Sequence, residues 1–270
     1  KPIKAKEYKT DIHTIIQRLV IGGWPGLVGL DEADARQVNT SYVRLLTEVD
    51  LSRVSDVKRD PVRVRHLLQS LARNLSTITE VSTFIRDIQN VAGDDISRPT
   101  VVDYLDALDR LMIIEDQPAW NTHIRSSAKL RKSPKRHFAD VSLAIACLGL
   151  DSSALFGDLN YTSFVFESQV VHDLRVYASR LGADVYYYRD SSGLEVDAVV
   201  EKPNGDCAIF EVKLGDGFVD EGARALAALT KNVVEGKGRR ILSRSVIVGS
   251  GYAYTRPDGI NVIPLSALGV

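Results

Sequence analysis

The sequence has few cysteines and no long apolar run. Cys147 and Cys207 are the only cysteines among its 270 residues, and both lie in apolar segments far apart in the chain. This excludes a cysteine-rich zinc site and indicates a reducing compartment. No apolar run reaches the ~20 residues that span a bilayer, and the segment KPIKAKEYKTD lacks the apolar core of a signal peptide. We therefore expect a cytoplasmic protein without a membrane partner.

Several catalytic motifs are also missing. The five histidines show no HExxH spacing, and the chain contains neither a GxSxG elbow nor a GxxxxGK[ST] phosphate loop. The chain does not begin with methionine, which predicts that it is part of a longer protein. Its net charge of −1 gives no overall attraction to nucleic acid, so DNA binding would require a local basic patch.

Residues 1–125 are predicted to be mainly helical. The segments VRVRHLLQSLARNL, TITEVSTFIRDIQNV and TVVDYLDALDRLMII carry apolar residues at the spacing of amphipathic helices. Ser97 and Pro99 are typical of a helix start. The buried face of the third helix is predicted to comprise Val101, Leu105, Leu108 and Met112. Because the strand-like segment MIIEDQPAW follows, this order of elements predicts a winged helix-turn-helix.

Residues 126–270 alternate between helical and strand-like segments. FVFESQVVHDLRVYASRLG is predicted to be a helix that ends at Gly182, and DVYYYRD is predicted to be a strand. The stretch GLEVDAVVEKPNGDCAIFEVKLG predicts two strands joined by a turn at 203–206. A helix in DEGARALAALTKNVVEG and a strand in RSVIVGS complete the order helix, strand, strand, strand, helix, strand. The fold class is therefore α/β.

Charged residues in the two central strands are the most informative feature of this region. Asp197, Glu211 and Lys213 alternate with residues that favour burial, and a buried charge is costly without a partner. If the two strands pair, Asp197 approaches Glu211, and two adjacent carboxylates require a proton or a cation. Mg²⁺ or Mn²⁺ held by Asp197 and Glu211 is one solution. The alternative is an ion-pair network in which Lys213 compensates the carboxylates.

This pattern of Asp, a turn-containing spacer and Glu-x-Lys resembles the PD-(D/E)xK nuclease superfamily. The resemblance implies a restriction-endonuclease-like αβ core in which Asp197, Glu211 and Lys213 are catalytic. The superfamily often has a further acidic residue on the helix before the strands, a position that Glu167 fits. The implied activity is that of a metal-dependent DNA endonuclease.

The order of motifs along the chain resembles a family of bacterial and archaeal AAA-type ATP-binding proteins. The motifs are GGWPGL, TVVDYLDALDRLMII, KSPKRHFADVSLA, FESQVVHDL and GLEVDAVV…FEVK. In that family a P-loop ATPase domain precedes a carboxy-terminal domain of unassigned function. The resemblance implies that ATP binds only to an upstream domain, which would be a partner of this region.

Two segments bear on DNA as a partner. The third predicted helix, TVVDYLDALDRLMII, would be the recognition helix of the winged helix-turn-helix. It presents Asp103, Asp106 and Asp109, which would repel phosphates. A protein-docking role is therefore favoured for the winged helix. The basic segment RSSAKLRKSPKRH contains no acidic residue. Such a segment could contact phosphates, and the alternative is a solvated loop between domains. The residues predicted to bind nucleic acid are Lys129, Arg131, Lys132, Lys135 and Arg136.

The sequence therefore predicts a carboxy-terminal region of an AAA-type ATP-binding protein. It is expected to carry a Mg²⁺-dependent phosphodiesterase-type site that acts on DNA. The competing hypothesis is a catalytically silent module that docks onto the ATPase or onto a protein partner. An ammonium of Lys213 in the position of the metal would favour this second hypothesis.

Overall fold

The structure is a computed structural model that describes residues 2–50, 59–93, 96–121, 133–234 and 239–269. The chain divides into two compact units. The sheet unit comprises Lys1–Ile15, Gln117–Ser133 and Gln169–Val270, and the helical unit comprises Ile16–Asp116 and Pro134–Ser168. The boundary predicted at 125/126 lies outside the described residues.

Helices and strands of the described residues are numbered in chain order. The helices are α1 (Ile12–Ile21), α2 (Glu32–Leu45), α3 (Pro61–Arg73), α4 (Val81–Ala92), α5 (Arg98–Arg110), α6 (Val141–Leu148), α7 (Ser152–Gly157), α8 (Leu159–Ser179) and α9 (Val219–Val234). The strands are β1 (Lys6–Tyr8), β2 (Ile114–Gln117), β3 (Lys135–Phe138), β4 (Asp184–Arg189), β5 (Glu195–Glu201), β6 (Asp206–Lys213), β7 (Arg240–Val248), β8 (Gly251–Thr255) and β9 (Asn261–Pro264).

The three helices predicted between residues 60 and 112 are confirmed as α3, α4 and α5. The apolar stripe of α3 is buried throughout, because its spacing keeps the stripe on one face. Helix α5 begins as predicted, with the Ser97 side chain accepting a hydrogen bond from Thr100 N. The prediction for Met112 was wrong. Since α5 ends at Arg110 and Met112 adopts a φ of 55°, its side chain leaves the buried face and is 77% exposed.

Strand β3 contacts helix α8 through polar side chains within the helical unit. Lys135 and His137 are two residues apart, so they project to the same face of the strand. Lys135 Nζ lies 2.9 Å from Glu167 Oε1, and His137 Nδ1 lies 3.0 Å from Ser168 Oγ. All four side chains are buried. A row of polar contacts therefore holds β3 against α8.

Within the described residues, the sheet unit contains a seven-stranded mixed sheet. The strand order is β1-β8-β9-β7-β6-β5-β4. Strands β4, β5 and β6 pair antiparallel in sequence, whereas β6 pairs parallel with β7. A parallel pair needs a crossover connection, and α9 lies in that connection. The strands predicted from the sequence are confirmed as β4, β5, β6 and β7.

The turn between β5 and β6 and the packing of α9 fix the position of the charged residues. Lys202 N donates to Asp206 O, and Gly205 has a φ of +83°, which glycine adopts at low cost. Apolar residues of α9 pack on the sheet in one buried cluster. This cluster includes Val199, Ile209, Leu226, Leu229, Val246 and Val262. The charged side chains of β5 and β6 therefore lie on strands that the core holds in register.

Among the described residues, none of the helices combines the length and the apolar character that crossing a membrane requires.

Candidate functional site

Asp197 and Glu211 occupy adjacent strands at the end of the β5–β6 ladder. The ladder ends with Ala198 opposite Phe210, so Asp197 and Glu211 are the next residues on either strand. The Asp197 carboxylate accepts a hydrogen bond from Val212 N at 2.8 Å. Gln117 Nε2 donates to the Asp197 carbonyl oxygen, also at 2.8 Å. These contacts hold the half-buried Asp197 beside the Glu211–Lys213 segment.

Lys213 lies between two glutamates. Its Nζ is 3.1 Å from Oε2 of the buried Glu211 and 3.1 Å from Oε1 of Glu221. Burial alone would lower the pKa of Lys213, but attraction to Glu211 and then to Asp197, together with hydrogen bonds to Glu221 and Glu211, raises it above the ordinary value. Lys213 is therefore an ammonium at neutral pH and is unsuited to act as a general base.

Glu221 is the residue of this site that the sequence analysis missed. It lies in the first turn of α9, eight positions after Lys213, and its side chain is 60% exposed. The local sequence contains one signal, an acidic residue in the first turn of the helix that follows the Glu-x-Lys strand. That signal alone does not reveal the contact, because the tertiary fold brings α9 back to β6.

Glu167 lies in the helical unit, on the part of α8 that precedes the division of the chain at 168/169. It is buried, and its contact with Lys135 is an ion pair in which both side chains are almost fully enclosed. Burying such a pair is costly, and removing one partner is costlier. The ion pair of Glu167 with Lys135 is thus structural, and the catalytic role of Glu167 stays a prediction.

The basic stretch 125–136 is described only at its end. Arg125, Lys129, Arg131 and Lys132 lie outside the described residues. Lys135 is buried, which corrects its predicted contact with phosphate, because its ammonium pairs with Glu167 instead.

Arg136 is also used within the helical unit. Its Nη1 donates to Thr79 O at 2.9 Å, its Nε is 3.3 Å from Asp116 Oδ1, and its guanidinium lies over the Phe84 ring. Burial lowers the pKa of Arg136, while the Asp116 charge opposes that shift. Any phosphate contact of the stretch must therefore rest mainly on residues before Lys135.

The acidic surface of α5 is present but smaller than predicted. Asp106 and Asp109 are exposed, whereas Asp103 is half-buried. Asp103 forms a two-point contact with Arg59, at 2.9 Å from Nε and 3.0 Å from Nη2. This geometry is the strong form of an arginine–carboxylate pair. The remaining two carboxylates still disfavour DNA on this face.

The oxygen donors of Asp197 and Glu211 fit Mg²⁺ as a partial ligand set. Proteins commonly bind this ion through one or two carboxylates, with water and substrate phosphate completing the coordination. The described residues include no group of three or more His, Cys, Asp or Glu side chains arranged to hold a metal. Asp197 and Glu211 would therefore hold the ion together with groups from substrate and solvent, and the Lys213 ammonium would compete at Glu211.

Two of the sequence motifs contact each other within the helical unit. Gly23 N donates to Asp140 Oδ2 at 2.7 Å, which joins the GGWPGL segment to the residue that caps α6. Gly22 has a φ of +87°, and a Cβ there would lie 2.4 Å from Ser142 Oγ. Any residue larger than glycine would therefore clash at this junction.

Two models of protein families match the chain. Residues 12–154 match a domain of unknown function, DUF8612, and this segment is more than half of the 270 residues. The chain belongs to the DUF8612 family. Residues 162–268, which contain Asp197, Glu211, Lys213 and Glu221, match a second domain of unknown function, DUF4143. Neither the curated proteins nor the solved structures yielded a match.

Proposed function

We propose that this DUF8612–DUF4143 chain is the carboxy-terminal region of an AAA-type ATP-binding protein and carries a Mg²⁺-dependent phosphodiesterase-type site that acts on DNA. DUF4143 is known in AAA-ATPase-associated contexts, which supports the first part of the proposal. ATP binding would belong to an upstream domain, because the chain contains no P-loop sequence.

The arrangement of secondary structure supports a nuclease-like core. Helix α8, strands β4, β5 and β6, helix α9 and strand β7 follow one another in the order that the resemblance implies. The strand pairing is antiparallel, antiparallel and then parallel. A likeness of fold alone does not carry an activity, so the proposal depends on the site.

One observation carries the proposal: the Asp197 carboxylate bonds to Val212 N, between Glu211 and Lys213. This contact brings together two carboxylates and a lysine from two strands. When bound, Mg²⁺ would supply Lewis-acid polarisation of a phosphate oxygen. Asp197 and Glu211 would hold the ion, and the ammonium of Lys213 would stabilise negative charge that develops on the phosphate.

The thermal stability of the chain tests the carboxylate pair. Mn²⁺ is expected to raise the melting temperature, because a ligand present at ~100 times its Kd stabilises the folded state by ~2.7 kcal/mol. Asp197→Asn and Glu211→Gln should each abolish this shift, as measured by differential scanning fluorimetry. Glu195→Gln is the matched control on the same strand as Asp197 and should retain it. An equal shift in all four proteins would place the ion elsewhere.

DNA binding is expected to depend on the basic stretch before Lys135. Reversing Lys129 and Lys132 to glutamate should weaken binding to duplex DNA by about tenfold at low ionic strength and reduce its salt dependence, because fewer counterions are released. Fluorescence anisotropy titrations at several salt concentrations measure both effects. Asp106→Lys on α5 should leave affinity unchanged or increase it. Weaker binding by this variant, with no effect of the reversals, would assign the contact to α5.

The contacts of Lys213 favour a second candidate function. An ammonium against Glu211 and Glu221 is the arrangement expected of an ion-pair network that maintains an inherited fold without catalysis. The chain would then be a docking module for the ATPase or for a protein partner. The exposed carboxylates of α5 would suit a basic protein surface better than DNA. Unchanged melting temperature in Mn²⁺ and no cleavage would favour this candidate.

A further inference from the structure

The two carboxylates that contact Lys213 differ in exposure and in location. Glu211 is a buried residue of β6, whereas Glu221 is a largely exposed residue at the start of α9. Both oxygens lie 3.1 Å from the same ammonium. A small movement of the lysine side chain away from Glu211 would therefore leave one ion pair intact.

A divalent cation at Glu211 requires such a movement. The ion and the ammonium carry charge of the same sign, and both would contact the Glu211 carboxylate. Like charges at this separation disfavour each other strongly in a partly buried site. Lys213 is also partly buried, so moving it away from every carboxylate would leave a poorly solvated charge.

The residues on either side of Glu221 contact the rest of the sheet unit. Asp220, the preceding residue, pairs with Arg256, which also pairs with Asp258 in the β8–β9 turn. Gly222, the following residue, packs against β6 so closely that a Cβ there would lie 3.1 Å from the Cβ of Glu211. The close approach of Gly222 to Glu211 places the first turn of α9 against β6, from where Glu221 reaches Lys213.

We propose that Glu221 is the receiving carboxylate for Lys213 when a divalent cation binds at Asp197 and Glu211. This inference rests on the proposed function and concerns the regulation of the same site. Glu221 is a positioning residue, because it acts on the site through the lysine. When the ion binds Glu211, Lys213 loses its ion pair with Glu211 but keeps its ion pair with Glu221. The ammonium therefore remains beside the site with its charge compensated.

The test is a double-mutant cycle on Mn²⁺ binding by the full chain. Binding is measured from the electron paramagnetic resonance signal of the free ion. Glu221→Gln should weaken binding by about fivefold, the scale of one partly exposed ion pair. Asp216→Asn removes an exposed charge nearby and is the matched control, with an effect within about twofold. Lys213→Met should tighten binding, because it removes the competing ammonium. In that background Glu221→Gln should have no more effect than Asp216→Asn.

Two results would overturn the inference while leaving the proposed function standing. One is equal Mn²⁺ affinity of Glu221→Gln and Asp216→Asn. The other is an excess effect of Glu221→Gln that persists without Lys213, which would make Glu221 a direct ligand. Absence of Mn²⁺ binding by the wild-type chain would instead contradict the proposed function and the inference together. Circular dichroism of each variant verifies the fold, and Lys213→Gln replaces Lys213→Met if the latter does not fold.

Discussion

Replacing Lys135 by methionine is expected to lower the free energy of unfolding by about 3–5 kcal/mol. The change removes an ammonium 2.9 Å from the carboxylate of Glu167, and both residues are buried. The Glu167 carboxylate then loses this ion pair while it stays in a medium of low polarity. Urea denaturation followed by circular dichroism measures the loss. Lys231→Met on the exposed face of α9 is the control and should change stability by no more than about 0.5 kcal/mol.

The double variant Lys135→Met, Glu167→Gln separates a buried ion pair from a general packing defect. It should recover a large part of the stability, since replacing both members of a buried pair is often close to neutral. A loss below about 1 kcal/mol in the single variant would show that solvent reaches the pair. Equal losses in the single and double variants would mean that packing of the lysine stem, not charge, is the important contribution.

Replacing Lys213 by alanine is expected to reduce DNA cleavage by about 10²–10³-fold. The raised pKa of Lys213 keeps the side chain charged at neutral pH, so the contribution proposed for it in DNA cleavage is electrostatic. Alanine removes that charge from the place where the phosphate would become more negative. The expected readout is the rate of nicking of supercoiled plasmid.

Lys213→Arg distinguishes charge from shape at this position. Arginine retains the positive charge but has a longer planar head, so partial recovery of cleavage is expected. Glu167→Gln tests the predicted catalytic role of Glu167, whose buried carboxylate pairs with Lys135. A variant that folds fully and does not cleave would support that role, whereas cleavage in proportion to the folded protein would contradict it.

Much of the local structure could be predicted from sequence patterns. The stripe of α3 and the alternation in β5 and β6 are consequences of helical and strand periodicity, which hold wherever one face packs on a core. Met112 illustrates the limit of this reasoning. Its spacing continues the stripe of α5, but the chain leaves the helix at Arg110 and the side chain points into solvent.

The environment of charged side chains was harder to predict than secondary structure. Lys135 belongs to a basic run, which suggested an exposed position, yet it is buried against Glu167. Lys135 and His137 lie on the same face of β3 and both are buried, which the charged composition of the run did not indicate. Asp197 was correctly predicted to lie beside the Glu211–Lys213 segment, because strand pairing across a short turn is a local property. Glu221 was missed because its contact depends on the crossover that returns α9 to β6.

The most direct test of the central claim is the nicking of supercoiled plasmid by the wild type and by Lys213→Ala. Both should be assayed with Mn²⁺, as this 270-residue chain and joined to the proposed upstream ATPase domain in the presence of ATP. We expect the wild type joined to that domain to nick plasmid in a metal-dependent manner and Lys213→Ala to be slower by about 10²–10³-fold. Equal activity of the two proteins, or no cleavage of plasmid, linear duplex or single strands by the wild type, would contradict the proposed DNA cleavage and favour the docking function.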